Sequence, residues 1–537
     1  METRAACLVA VRAAGRSWQA RTFAVHGHHY ALVEVDRLEP GTVHPYEVEI
    51  DGIRVWPEPD SAFPASVIAT WTPGASIRLA FGSCRTSVPH DGPGNRVHGV
   101  DSLRAFALAV ADGLEVRPDL LLFLGDQVYA DSTTSEMKEF IRARRDIREE
   151  PGAELKDFEE YAHLYGLAWS DPANRWLLST VPTAMIFDDH DIRDDWNASL
   201  DWKEKMEATS WWHERIVAGL ASYWVYQHLG NLSPEERATD RMWQRVREDD
   251  AVSVDLGDAL DEFAARCDRD ASEYRWSYRR EFDDVRLVVV DSRVARDLTP
   301  SARKLLNTRE LDWFDEQLHA GPRHVLVATS LPFLLPLGLH HVEAWDEAIA
   351  QGAWGRPAAR LGERLRQAVD LEHWAAFQNS FQAVARIATE LADGARGPSP
   401  ATITFLSGDV HYSYVAEVER EGGSRIVQAV CSPVRNPLPR FLRWFSTVMS
   451  YGPAVPLGAA AARSVKVPDP PFRWRTVMGP WFDNTLAVLQ DGTDGLTMTW
   501  RTGKVEHGDH LHPRLDEVGS MTVAPTRDAD LPTPPPP

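Results

Sequence analysis

Three short segments place carboxylates, imidazoles and a phenol at spacings that suit a metal site: GDQVYAD at 125–131, FDDHDIRDDW at 187–196 and SGDVHYS at 407–413. Each follows a short apolar run, and such runs suit strands that are covered on both faces. An acidic residue and a histidine two apart at a strand end, as Asp409 and His411 are, can turn to one side and share an ion. Carboxylate and imidazole ligands fit zinc, iron or manganese, and oxygen-rich shells fit calcium or magnesium. Two such ions about 3.5–4 Å apart activate a water and stabilise both oxygens of an in-line displacement.

The strands that would carry these residues read clearly. FGSC ends at Cys84, LFLGD at Asp126, MIFDDHD at Asp188–Asp191, VVVDSR at Asp291 and FLSGDVH at Asp409–His411. In open α/β sheets ligands sit in the crevice beyond the strand carboxyl ends. A buried strand that ends in a carboxylate must pair it, ligate it or bring it to water. One such end is ordinary, whereas five on separate segments point to a shared site. A capping turn is the plainer reading of Asp126 with Tyr129, a polar loop that of Asp409 with His411, and a satisfied core histidine that of His190; the companion motifs favour the site. Cys84 is either a ligand or a small buried hydrophobe. Asp188 and Asp189 both remain candidates. Asp291 with Arg293 reads as a structural ion pair. Arg85 and Arg193, beside the motifs, either grip a phosphate oxygen or pair with the local acids. Ser83 lacks a Gly-x-Ser-x-Gly elbow and is set aside as a nucleophile.

The elements around these ends come in two textures. Residues 20–72 read as short strands separated by turns such as Glu39-Pro40-Gly41, a small β-domain without chemistry. From Ile77 onward apolar runs alternate with helical stretches at 101–113, 135–148, 205–228 and 361–393, which argues for an α/β or layered α+β domain. The Trp-rich stretch 196–224 is expected to serve as core or groove wall. Segment 438–463 is apolar but broken by Pro and Gly; buried packing near the site is favoured over contact with a membrane surface. The Pro/Asp-rich end, 525–537, is expected to be disordered.

Lys and Arg total 57 against 79 Asp and Glu, a formal charge of −22. That excludes a sequence-independent grip on nucleic acid or attraction to anionic lipid by the chain as a whole. Metal ions are one way for so acidic a chain to supply positive charge to an anionic substrate. The four cysteines are far apart with no CxxC pair, so neither a zinc knuckle nor a disulfide scaffold is indicated. The apolar patch Cys7–Val11 is too short for an export signal, and no run of about 18 apolar residues predicts a spanning helix, so a cytoplasmic protein is expected.

Taken in order, GDQVYAD, DDHD…DDW, DSR, SGDVHYS and CSPVRNP resemble the PhoD-like (alkaline phosphatase D) branch of the calcineurin-like metallophosphoesterases. The resemblance runs from residue 20 to about 500. It implies a layered α/β/β/α sandwich of the α+β class, with a small fibronectin-III-like β-sandwich over 1–74 and a catalytic domain over 75–524. It further implies that Asp126 bridges two metals and that Tyr129, Asp189, Asp409 and His411 are ligands. Cys84 takes the place of the superfamily's opening Asp-x-His, as a thiolate. His190 becomes the catalytic histidine, protonating the leaving oxygen or stabilising phosphoryl charge. The implied cofactors are Fe(III) plus Ca(II) or another divalent ion, and the implied activity is attack by an activated hydroxide on a phosphate mono- or diester. Insertions around 138–180 and 199–280 leave the substrate open. The competing expectation is a non-catalytic scaffold of the same fold that binds a partner through its β-sandwich and insertions.

Overall fold

The computed structural model describes residues 1–248, 255–300, 302–439, 443, 447–448, 454–492 and 495–524. Two large sheets dominate. The first has six strands in the order Thr183–Ile186, Leu120–Leu124, Arg78–Gly82, Leu486–Gly492, Gly495–Glu506 and Asp509–Ala524. Its first three strands are parallel, and the last three are joined antiparallel. The second has seven: Tyr278–Phe282, Val285–Val290, His324–Thr329, Thr402–Ser407, Arg425–Val430, Ser413–Glu419 and Arg473–Trp481. Four consecutive strands of this sheet, from Val285–Val290 to Arg425–Val430, run parallel.

Alternation along each strand sorts the layers, because successive side chains point to opposite faces. Leu79, Phe81, Leu122, Leu124 and Ile186 from one sheet share a core with Leu287, Val289, Leu326, Ala328 and Ala429 from the other. The intervening residues face helices. Ala80, Leu121, Phe123 and Met185 pack with Phe106 and Trp176, from helices Ser102–Ala111 and Pro172–Thr180. On the far side Val288, Val290, Val327 and Phe405 pack with Phe314 and Val384, from helices Thr308–Gln317 and Gln378–Ala392. The result is helix, sheet, sheet, helix, the layered α+β sandwich that the sequence predicts. Burial on both faces explains why the strands read as continuous apolar runs.

The N-terminal part departs in detail from the expectation. Strands begin at Glu2 and not near residue 20. The apolar patch Cys7–Val11 runs into the strand Leu8–Ala13, which lies between Arg16–Arg21 and Val43–Ile50. Ile53–Trp56 and Val67–Ala69 complete that sheet, and Glu2–Thr3, His28–Tyr30 and Phe23–Val25 form a second one. Val9, Ala31 and Val48 make its small core, while Phe23, Val25 and Tyr30 join the core of the large sheets.

A histidine clasp ties the two parts together. His26 Nε2 lies 2.9 Å from Asp261, and the His26 and Gly27 amides donate to Asp255 at 2.8 and 2.6 Å. His28 bridges Glu2 at 2.9 Å and Glu159 at 2.7 Å. The hydrogen bond to Asp261 raises His26 above its ordinary value, and the one to Glu2, with Glu159 behind it, raises His28. A raised folded value means that the clasp stabilises fully below the unfolded histidine value of about 6.5 and fades as pH rises through the folded values. The expected result is that His26→Ala/His28→Ala lowers the melting temperature more at about pH 6 than at about pH 8.5. A deficit that does not shrink with rising pH would refute the clasp.

The helical stretch predicted over 361–393 is two helices, Arg356–Ala368 and Gln378–Ala392. The break between them carries Asp370, Glu372 and His373, and it bears on the site.

Candidate metal centre

Every parallel strand near the centre of the molecule ends in a polar residue at the same edge. Arg78–Gly82 leads to Ser83 and Cys84, Leu120–Leu124 to Gly125 and Asp126, Thr183–Ile186 to Asp188–Asp191, and Thr402–Ser407 to Asp409 and His411. The ends are stitched together by the backbone: the Cys84 amide donates to the Gly125 carbonyl, and the Arg85 amide to that of Asp126 at 3.0 Å. Asp191 clamps two of them, its Oδ2 accepting from the amides of Asp126 at 2.9 Å and Asp188 at 2.8 Å. The crossing is tight at Gly408, where a Cβ would fall 1.9 Å from Ser83 Oγ, so only glycine fits.

The turns are strained. Cys84, Asp126, Asp409 and His411 have φ of 58°, 51°, 66° and 57°, in the left-handed region that L-residues avoid. Each such residue costs on the order of 1–3 kcal/mol, and such strain gathers where side chains are aimed for function. Four instances at one edge are hard to account for by chain reversal alone.

Atoms able to hold a metal ion converge in overlapping sets, each within 4.8 Å: Cys84, Asp126 and His411; Asp126, Asp189 and His190; and Asp188, Asp189 and Asp409. Asp126 belongs to two of them. The Tyr129 hydroxyl donates to Asp126 Oδ2 at 3.3 Å. His411 Nδ1 is held by the Asn436 carbonyl at 2.6 Å and His190 Nδ1 by Asp131 at 2.9 Å, while His190 Nε2 lies 3.7 Å from Asp194. Cys84 Sγ lies 3.1 Å from Ser83 Oγ and 3.3 Å from Ser432 Oγ.

The electrostatics call for a cation. Asp126 Oδ1 and Asp188 Oδ2 are buried without a hydrogen-bond partner. Burial, and then the neighbouring aspartates, push Asp126 well above the carboxylate range, although His190 opposes this. Burial, followed by Cys84 and Asp126, likewise pushes Tyr129 up, and burial with Asp126 and Asp409 pushes the Cys84 thiol up. Acids packed this way cannot all ionise unless positive charge is supplied. A thiol, a phenol, an imidazole and shared carboxylates are the donors that metal ions take, so the residues fit such ions.

One permanent charge is built in. Arg293, fully buried, holds Asp188 through Nε, lies 3.1 Å from Asp189 Oδ1 and reaches Glu372 at 2.5 Å. The expected pair with Asp291 is corrected. The Asp291 carboxylate instead accepts from the amides of Arg293, Val294 and Ala295 at 2.8–3.0 Å, capping the turn that presents the guanidinium. Between the tandem aspartates, Asp188 is taken by this ion pair and Asp189 occurs in both carboxylate sets.

The two arginines expected either to grip phosphate or to pair with the local acids are both paired with acids. Arg85, 3% exposed, pairs with Asp101 at 2.8 Å and donates to the Ala168 carbonyl at 2.7 Å; Asp101 at once caps helix Ser102–Ala111. A guanidinium enclosed in this way is not available to a substrate, which corrects the expectation for Arg85. Arg193 reaches Glu154 at 3.2 Å and lies 5.2 Å over Trp211. Trp196, Trp202, Trp211, Trp212 and Trp224 are all buried, as core.

Sequence reasoning missed four contributors: Asp131, Asp191, Arg293 as the site's cation, and His373, whose Nε2 lies 2.8 Å from Asp409 Oδ2. Asp131 and Asp191 stood within the quoted motifs. For His373 the available signal was the polar run DLEH at 370–373, which interrupts an otherwise helical apolar pattern.

The two-sheet α+β sandwich, with acids gathered at one strand edge, is that of the metallophosphoesterase fold. The chain belongs to the PhoD-like phosphatase family, whose model matches residues 97–440. Residues 1–68 match a domain of unknown function (DUF7800). A solved structure of PhoD superposes with a TM-score of 0.56 at 13% identity, over 96% of this chain and 83% of that one. Purple acid phosphatase PPD1 from yellow lupin (Lupinus luteus) seeds gives 0.46 at 10% identity, over 98% and 70%. No curated protein matches in sequence. Family membership carries the enzyme reading over the scaffold alternative. Among the described residues no helix is long and apolar enough to cross a membrane. Helix Ala454–Ser464 packs on helix Leu337–Ala350, with Gly458 against His341; most of 440–453, and all of 525–537, lie outside the described residues.

Proposed function

We propose that the chain hydrolyses small phosphate esters at a centre of two cations that share Asp126. The single observation that carries this reading is the membership of Asp126 in two ligand sets, with one of its buried oxygens unpartnered. Cys84, Tyr129, Asp126 and His411 would hold one ion, and this thiolate, phenolate and imidazole set suits Fe(III). Asp126, Asp189 and Asp409 would hold the other in a mainly oxygen shell that suits Ca(II) or another divalent ion. Bound there, the ions would supply a nucleophilic water at neutral pH and positive charge for the phosphoryl oxygens.

The chain's own residues do the rest. Asp131 holds His190 by Nδ1, and Nε2, 3.7 Å from Asp194, is the nitrogen left to deliver a proton to the leaving oxygen. Burial opposes protonation of His190, but Asp131, Asp189 and Asp126 outweigh it and raise its value well above the ordinary one, which keeps that proton available. Arg293 holds Asp188 and Asp189 in place from behind. Arg193, the more exposed of the two arginines, remains the candidate for a substrate contact. We place the boundary of the N-terminal β-module near residue 74, where short antiparallel strands give way to the parallel strand Arg78–Gly82.

Protein purified without chelator should contain stoichiometric metal and, with iron beside Tyr129, show a visible tyrosinate band. It should also hydrolyse chromogenic mono- or diesters in a chelator-sensitive way. Activity untouched by chelator in protein without stoichiometric metal would sink this reading.

A further inference from the structure

Two of the histidines discussed above, His190 and His411, share one arrangement beside the cluster: Nδ1 is fixed on an acceptor. His373 repeats it. Its Nδ1 lies 2.6 Å from Glu343 Oε1, and its Nε2 lies 2.8 Å from Asp409 Oδ2. His373 stands at the start of the short turn Trp374–Ala376, in the break between two helices, and Glu343 comes from helix Leu337–Ala350. Neither element carries any of the strand-end motifs.

We propose that Glu343 and His373 form a positioning pair, in which Glu343 fixes the imidazole and the imidazole fixes the Asp409 carboxylate for the divalent cation. The inference rests on the two-cation reading and extends it to a pair that lies outside the motifs. Asp409 sits on a strained turn after strand Thr402–Ser407, with φ of 66°, and a two-bond side chain there has several rotamers to choose from. The imidazole takes one carboxylate oxygen and leaves the other for a cation, which selects the rotamer. Glu343 has no exposed surface, and its second oxygen has no hydrogen-bond partner. A buried carboxylate in that state is costly, and an apolar pair of the same volume would serve the packing better. Carboxylate partners behind an imidazole raise its basicity and lock its orientation, and losing such an outer partner weakens metal sites by about 10–100-fold.

The test is calorimetric titration of Ca2+ into the full, chelator-treated chain. His373→Ala should bind about 10–100-fold more weakly than the parent. His373→Gln, whose amide still donates to Asp409, should recover most of that loss. Glu343→Gln should weaken binding in the parent yet change nothing in the His373→Gln background, because Glu343 acts through the imidazole. That comparison stands even if His373→Ala fails to fold. Parental affinity in His373→Ala, or a Glu343→Gln loss of equal size in both backgrounds, overturns the inference alone. A parent chain that binds no cation overturns the function reading, and the inference with it.

Discussion

Asp126→Asn is expected to lose both cations and to lower phosphoester hydrolysis by at least about 10³-fold, the upper scale for removing one preorganised electrostatic contact. The shared position makes the effect large, since among the described residues Asp126 joins the set of Cys84 and His411 to that of Asp189 and His190. Asparagine has nearly the same shape but offers one weakly binding oxygen and no charge. The folded chain should tolerate it well. Asp126 is fully buried beside Asp188, Asp189 and Asp191, and the substitution removes a carboxylate whose value burial, and then those neighbours, push up. Metal-free Asp126→Asn should therefore melt no lower than metal-free parent while being inactive under all metal loads. Elemental analysis, a melting curve and a chromogenic assay on the same preparation check it. Retention of both metals and of hydrolysis would remove Asp126 from the centre of the argument.

Arg293→Ala is expected to do the reverse, striking the fold before the chemistry. Its guanidinium, wholly inside the protein, is shared by Asp188, Asp189 and Glu372, and Glu372 also takes Arg296 at 3.0 Å. Removing one partner from a buried ion pair leaves the other charge uncompensated and costs about 3–5 kcal/mol. Here three carboxylates lose their common cation, so the upper end of that range applies. Denaturant unfolding of the metal-free protein should show the loss. Added divalent cation should restore part of it, because an ion held by Asp189 replaces some of the missing charge. Parental stability in Arg293→Ala would mean that Asp188 and Asp189 are protonated in the native protein and need no counter-charge.

Much of the fold was legible along the chain for a local reason. Strands sandwiched between layers are apolar at every position, so LLLFL, VRLVVV and TITFLS stand out against their surroundings, and a polar residue at their ends marks the sheet edge. The small N-terminal module was harder to read. Its strands are half exposed, its core is slight, and the strand Leu8–Ala13 resembled no more than an interrupted apolar patch.

The candidate site divides in the same way. The sequence by itself determined which strand ends bear candidate site residues: Cys84, Asp126, Tyr129, Asp189, His190, Asp409 and His411 all lie within a few residues of a buried strand, and that proximity is a one-dimensional fact. Only the tertiary structure decided which atoms meet and what holds them. Arg293 stands two residues from Asp291 yet reaches Asp188, 105 residues away in the chain, because a turn capped by Asp291 aims it across the gap between the two sheets. His373 lies in the polar break between two helices, and only the packing of helix Leu337–Ala350 brings Glu343 behind it. Arg85 sits beside a motif and still turns away, because Asp101 is nearer and buried with it. Local pattern records where a strand ends, but ion pairs and hydrogen bonds form between residues that the fold alone makes neighbours.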